Sequence, residues 1–120
     1  MFVILKPDAD RGVWLNRLLI QGYDFLGVYR RKKNEVWVKQ FYGHIPPDAI
    51  DRNILFFTNG SCVGVDIDVP KSDFIKLATL LRNYRVVDPR FLHKNQIHVP
   101  DNQVHSTVGK ELFLDETTNR

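Results

Sequence analysis

Phe2-Val3-Ile4-Leu5-Lys6-Pro7-Asp8-Ala9 joins four apolar residues to a lysine and a proline. An apolar run of this length fits a buried strand. Pro7 fixes its own φ and has no N–H to donate, so it ends the strand and sets the next turn. Lys6 therefore stands at a strand end, a usual place for a binding residue in an open sheet. Downstream, Val13, Trp14, Leu15, Leu18 and Leu19 recur at helical spacing over 13–21, and Gly22 supplies the stop. Phe25, Leu26, Val28 and Tyr29 predict a strand over 23–33. Short helices are expected over 35–44 and 48–57, separated by Pro46-Pro47. Val63, Val65, Ile67 and Val69 alternate with smaller or polar residues and predict a strand over 61–69. Ser72 is the expected N-cap of a helix over 73–83, carrying Phe74, Leu77, Leu80 and Leu81. A long loop and a last strand over 111–114 complete the order. Two strand-helix-strand halves predict an α+β, ferredoxin-like βαββαβ sandwich, its antiparallel sheet covered by helices on one face. The domain is expected to span 1–114, with a polar tail over 115–120.

Composition agrees with one soluble core. A chain of 120 residues with 43% apolar and 26% charged side chains is long enough to bury a single core. The lone cysteine, Cys62, excludes an internal disulfide and suits a reducing, cytoplasmic setting. No apolar run reaches the length of a membrane span, and no signal peptide is evident. A net charge of +3 favours anionic ligands, nucleotides and nucleic acid alike. The basic run Arg30-Arg31-Lys32-Lys33 reads more plainly as a solvated strand end than as a nucleic-acid patch. Asp66 and Asp68 share a strand face, where solvation explains them more simply than a metal.

The stretch Asn102-Gln103-Val104-His105-Ser106-Thr107 carries candidate chemistry. In a tight turn or a helical turn, residues three apart meet, so Asn102 and His105 share a face. A neutral imidazole can carry a group covalently between two substrates. The plainer alternatives are a surface histidine and an asparagine that caps a turn. No G-x-x-x-x-G-K-[ST] loop is present, so a nucleotide would have to be held by side chains.

Taken together, Lys6-Pro7-Asp8-Ala9 after a strand, Arg11-Gly12 before a helix, and Asn102-x-x-His105 followed by a hydroxyl resemble the nucleoside diphosphate kinases. Tyr42-Gly43-His44, Phe57-Thr58-Asn59-Gly60 and Asp88-Pro89 fall between those ends in the family's order. The resemblance implies transfer of the terminal phosphoryl of a nucleoside triphosphate to a histidine, His105, and onward to a nucleoside diphosphate. It implies that Lys6 reaches the phosphoryl and the sugar 3′-hydroxyl, with Asn102 sharing that hydroxyl. Tyr42 is then the tyrosine near the imidazole, Thr107 the hydroxyl supporting the histidine loop, and Glu111 the carboxylate on the far ring nitrogen. Glu111 and Tyr42 equally fit an exposed strand residue and a core-edge tyrosine. Arg82 and Arg90 are the candidate phosphate ligands, while Ile50 and Val99 are the candidate walls for the base. Mg²⁺ is expected on the nucleotide phosphates, and a homo-oligomer is expected from the family.

Departures from the family pattern concentrate around the phosphates. Leu81 and Val87 stand where the family has an arginine and a threonine, and Leu92 where it has a second arginine. Ser106 replaces a glycine and Val108 an acidic residue. Two alternatives to the kinase follow. One, from these departures, is a nucleotide-binding protein of the same fold with weakened catalysis, and the other, from Arg30 to Lys33, is a nucleic-acid-binding ferredoxin-like module. His44, His93 and His98 read as structural or surface residues.

Overall fold

The structure, a computed structural model, describes residues 1–43, 46–87 and 96–115, with the side chains of 48, 49, 52 and 85–87 excepted. Arg90, the segment Asp88-Pro89, His44, His93 and most of the expected tail lie outside the described residues. The elements are β1 (Phe2–Leu5), α1 (Arg11–Leu19), β2 (Phe25–Lys32), α2 (Glu35–Phe41) and α3 (Pro47–Thr58). They continue with β3 (Ser61–Ile67), a 3₁₀ turn (Lys71–Asp73), α4 (Phe74–Val87), β4 (Ile97–His98) and α5 (Gln103–Leu114). The strands form one antiparallel sheet in the order β2-β3-β1-β4, as expected of a ferredoxin-like fold.

β1 lies inside the sheet, and its alternation sorts the core into two layers. Val3 and Leu5 face Trp14 and Leu18 of α1 and Leu77, Ala78 and Leu81 of α4. Phe2 and Ile4 face the other way, with Cys62 of β3, towards Trp37 and Val38 of α2, Phe57 of α3 and Phe113 of α5. Helices therefore cover both faces, whereas the sequence pattern suggested one. The run FVIL is buried throughout, so both of its faces need a cover. Gly64 makes room on the second face, because a Cβ there would meet the rings of Phe2 and Phe113. Burial pushes the Cys62 thiol up to about 12, so it stays neutral and unreactive at ordinary pH.

The last strand differs from expectation. Residues 111–114 end α5, and the fourth strand is the two-residue β4. Ser106, Gly109 and Phe113 are the buried positions of α5 and recur at helical spacing. The apolar run Leu112-Phe113-Leu114 is too short for periodicity alone to tell strand from helix. Ser72 also differs, since it sits inside the 3₁₀ turn rather than capping α4.

Candidate functional site

The strand end expected for Lys6 places it beside β4. The Lys6 backbone N–H donates to the Gln96 carbonyl at 2.9 Å. In the same ladder Ile4 pairs with His98 and Leu5 with Ile97. Cross-strand partners share a face, so His98 joins Ile4 beneath α2, α3 and α5. The Lys6 side chain turns to that face as well. Its ammonium lies 4.9 Å from the centre of the Phe57 ring and donates to Asn53 Oδ1 at 3.1 Å. Lys6 is only 2% exposed, so its charge acts in a low-dielectric setting. The Phe57 ring and the Asn53 carbonyl oxygen both favour the cation.

Tyr42, just beyond the end of α2, links this lysine to the imidazole. Its ring meets Phe57 at 5.7 Å, and its hydroxyl lies 3.2 Å from Nδ1 of His98. The Phe41 ring stands edge-on to the His98 ring, with centroids 4.8 Å apart. Tyr42 and His98 then form one wall of a cavity of about 270 Å³. Its other walls come from Gln40 and Phe41, from Pro100 and Asp101, and from His105, Val108, Gly109 and Leu112 of α5. Lys6, Phe57 and Asn53 stand outside this lining, beyond Tyr42. The aromatic packing around His98 limits the positions its ring can take.

No family model and no curated protein matches the chain. Solved structures do match. A nucleoside diphosphate kinase from Aquifex aeolicus superposes with a TM-score of 0.75 at 19% identity, covering 98% of this chain and 95% of that one. One from Halobacterium salinarum, in complex with CDP, gives 0.74 at 20% identity, with 98% and 88% covered. An NDP kinase from Pyrobaculum aerophilum gives 0.68 at 15% identity, with 98% and 96% covered. The chain has the nucleoside diphosphate kinase fold.

Within the nucleoside diphosphate kinase fold, the expected site residues divide into two groups. Lys6 and Tyr42 come together through Phe57, while Ile50 is half-buried on α3. The His105 group is arranged differently. Asn102 is the N-cap of α5, and its Oδ1 accepts from the His105 backbone N–H at 2.9 Å. His105 sits in the first turn with its side chain 58% exposed, on the outer rim of the cavity. Ser106 is buried and accepts from the Phe2 N–H at 2.7 Å, tying α5 to β1. The Thr107 hydroxyl donates to its own helix at the Gln103 carbonyl, 3.0 Å away. Glu111 is exposed and is not among the cavity residues, which fall at 105, 108, 109 and 112 of α5. Val99 is buried beside the core of α1 and α4. Arg82 donates to the Val99 carbonyl at 3.0 Å and to Asp101 Oδ1 at 2.8 Å.

His98, read from the sequence as a structural or surface residue, is the imidazole that the structure brings beside Tyr42. The signal was present, because N-x-x-H occurs twice: at Asn95-Gln96-Ile97-His98 and at Asn102-Gln103-Val104-His105. A hydroxyl follows only the second, and Val99-Pro100 follows the first. Asn53 and Phe41 were missed as well, for they carry no motif and matter only through their place beside Lys6 and His98.

Proposed function

We propose that this protein moves the terminal phosphoryl of a nucleoside triphosphate to a nucleoside diphosphate by way of a phosphohistidine, and that the histidine is His98. The observation that carries this reading is the Tyr42 hydroxyl at 3.2 Å from His98 Nδ1, one strand away from buried Lys6. A hydroxyl that donates to Nδ1 leaves the ring proton on the other nitrogen and the lone pair on Nδ1, the form required of a nucleophile. In the first step the Nδ1–phosphorus bond forms as the bond from phosphorus to the bridging oxygen breaks, and the nucleoside diphosphate leaves. The second step reverses this onto a terminal oxygen of the incoming diphosphate. Phosphoryl transfer needs positive charge near the equatorial oxygens. Lys6, on the same sheet face beyond Tyr42, would supply it by swinging its ammonium from Asn53 towards the cavity, and the Tyr42 hydroxyl can turn from Nδ1 to a phosphoryl oxygen.

Asp101 is the carboxylate in the cavity lining, and it is engaged with Arg82. Mg²⁺ carried in on the nucleotide's phosphates would offset their charge. The neutral, buried thiol of Cys62 suits a reducing, cytoplasmic setting but takes no part in the reaction.

The test is steady-state exchange between ATP and a second nucleoside diphosphate. Parallel double-reciprocal lines, the signature of a covalent relay, are the expected result. Lines that intersect would remove the phosphohistidine from the scheme. A second reading keeps the fold and nucleotide binding without turnover. It is favoured by Arg82, an expected phosphate ligand already held by Val99 and Asp101. ATP binding with no exchange would decide for it.

A further inference from the structure

We infer that Arg82 and Asp101 are positioning residues for His98, acting through the turn that joins β4 to α5. This rests on His98 being the reacting imidazole. Val99 follows His98 directly, and its carbonyl accepts from Arg82 Nη2 at 3.0 Å. The same nitrogen donates to Asp101 Oδ1 at 2.8 Å. The second oxygen of Asp101 lies 3.7 Å from His105 Nδ1. One guanidinium from α4 thus holds the backbone on the far side of His98 from its pairing with β1. Asn102, next in sequence, caps α5 and fixes the other end of the turn. With Val99 and Pro100 both buried, the turn has few ways to relax.

Asp101 is 74% exposed and Arg82 34% exposed, and an ion pair so open adds little stability. Its effect is geometric. It selects one conformation for the backbone that carries the ring, with Tyr42 and Phe41 holding the ring from the front. Small displacements of a reacting group cost large factors in rate. An arginine that bound phosphate instead would raise nucleotide affinity and have no need of Asp101.

Arg82→Ala, Arg82→Lys and Asp101→Asn separate the two roles. Asp101→Asn keeps shape and an acceptor, so it tests the charge without unfolding the turn. Single-turnover phosphorylation is expected to slow roughly tenfold in Arg82→Ala and Asp101→Asn, with nucleotide Kd within about twofold of the wild type. The double variant is expected to be no slower than the worse single one, since both act through one contact. Ring ¹⁵N resonances of His98 should move in both single variants. Arg82→Lys, which keeps one donor and the charge, should recover part of the rate. A rise in Kd in Arg82→Ala, with the phosphorylation rate unchanged and Asp101→Asn silent, would overturn the inference. If the wild type proves unable to exchange phosphate, the ring resonances still answer: unmoved signals in both variants would overturn the positioning role by itself.

Discussion

His98 and His105 line one cavity, but their surroundings differ. The first has a phenol on Nδ1 and an aromatic edge against its ring, while the second stands 58% exposed at a helix start. A nucleophile benefits from a fixed ring, which favours His98. Tyr42→Phe tests the contact. Removing the hydroxyl while keeping the ring should lower the exchange rate by about tenfold, the worth of one hydrogen bond to a developing charge. The melting temperature should move little. Exchange at the wild-type level would show that the phenol has no part in the reaction. The strand-end place of Lys6 was legible in the sequence, before Pro7, whereas Tyr42 was singled out only by the resemblance that Tyr42-Gly43-His44 carries. His98 was not, for its meaning comes from pairing with Ile4, far away in the chain.

α5 shows what a short pattern conceals at the scale of an element. Asn102 and His105 were expected to share a face around a ligand, and in the structure they are joined by a helix cap. Both arrangements follow from a spacing of three, since a cap also reaches the third residue beyond it. Asn102→Ala should therefore cost about 1 kcal/mol of stability, read as a lower denaturation midpoint. Nucleotide affinity should be unchanged. Lost affinity with full stability would instead make Asn102 a ligand. Ser106→Ala removes the acceptor for the buried Phe2 N–H and should cost about 1–3 kcal/mol in the same measurement. Loss of less than a few tenths would mean that water takes over the bond. α1 and α4 were readable to within a few residues because their apolar spacing is long enough to show a period, while α2 and α3 were placed by the break at Pro46-Pro47. β4, with two residues, has no period to show.

Across the whole molecule, the antiparallel sheet was legible and its second helical layer was not. α2 and α3 were read as an excursion, yet Trp37, Val38 and Phe57 close a second core with Phe113. That layer bears on function twice. It provides the aromatic roof, Phe57 and Tyr42, that lies between Lys6 and His98. It also covers the sheet face on which a nucleic-acid module would present aromatic rings for base stacking. The same layer buries Cys62. Its folded pKa of about 12 lies above the ordinary thiol value, so the unfolded chain loses this proton first as pH rises. Stability from this group is complete below about pH 8.5, the unfolded value, and is lost as pH climbs towards 12. Urea midpoints measured between those limits should fall more steeply in the wild type than in Cys62→Ala. Equal slopes would mean that the thiolate is tolerated in the core.

The most direct test of the central claim is to incubate wild type, His98→Ala and His105→Ala with γ-labelled ATP and Mg²⁺, remove nucleotide, and count acid-labile phosphate on the protein. Label on the wild type and His105→Ala, discharged by added nucleoside diphosphate and absent from His98→Ala, is the predicted result. Label that survives in His98→Ala and vanishes in His105→Ala would contradict the account.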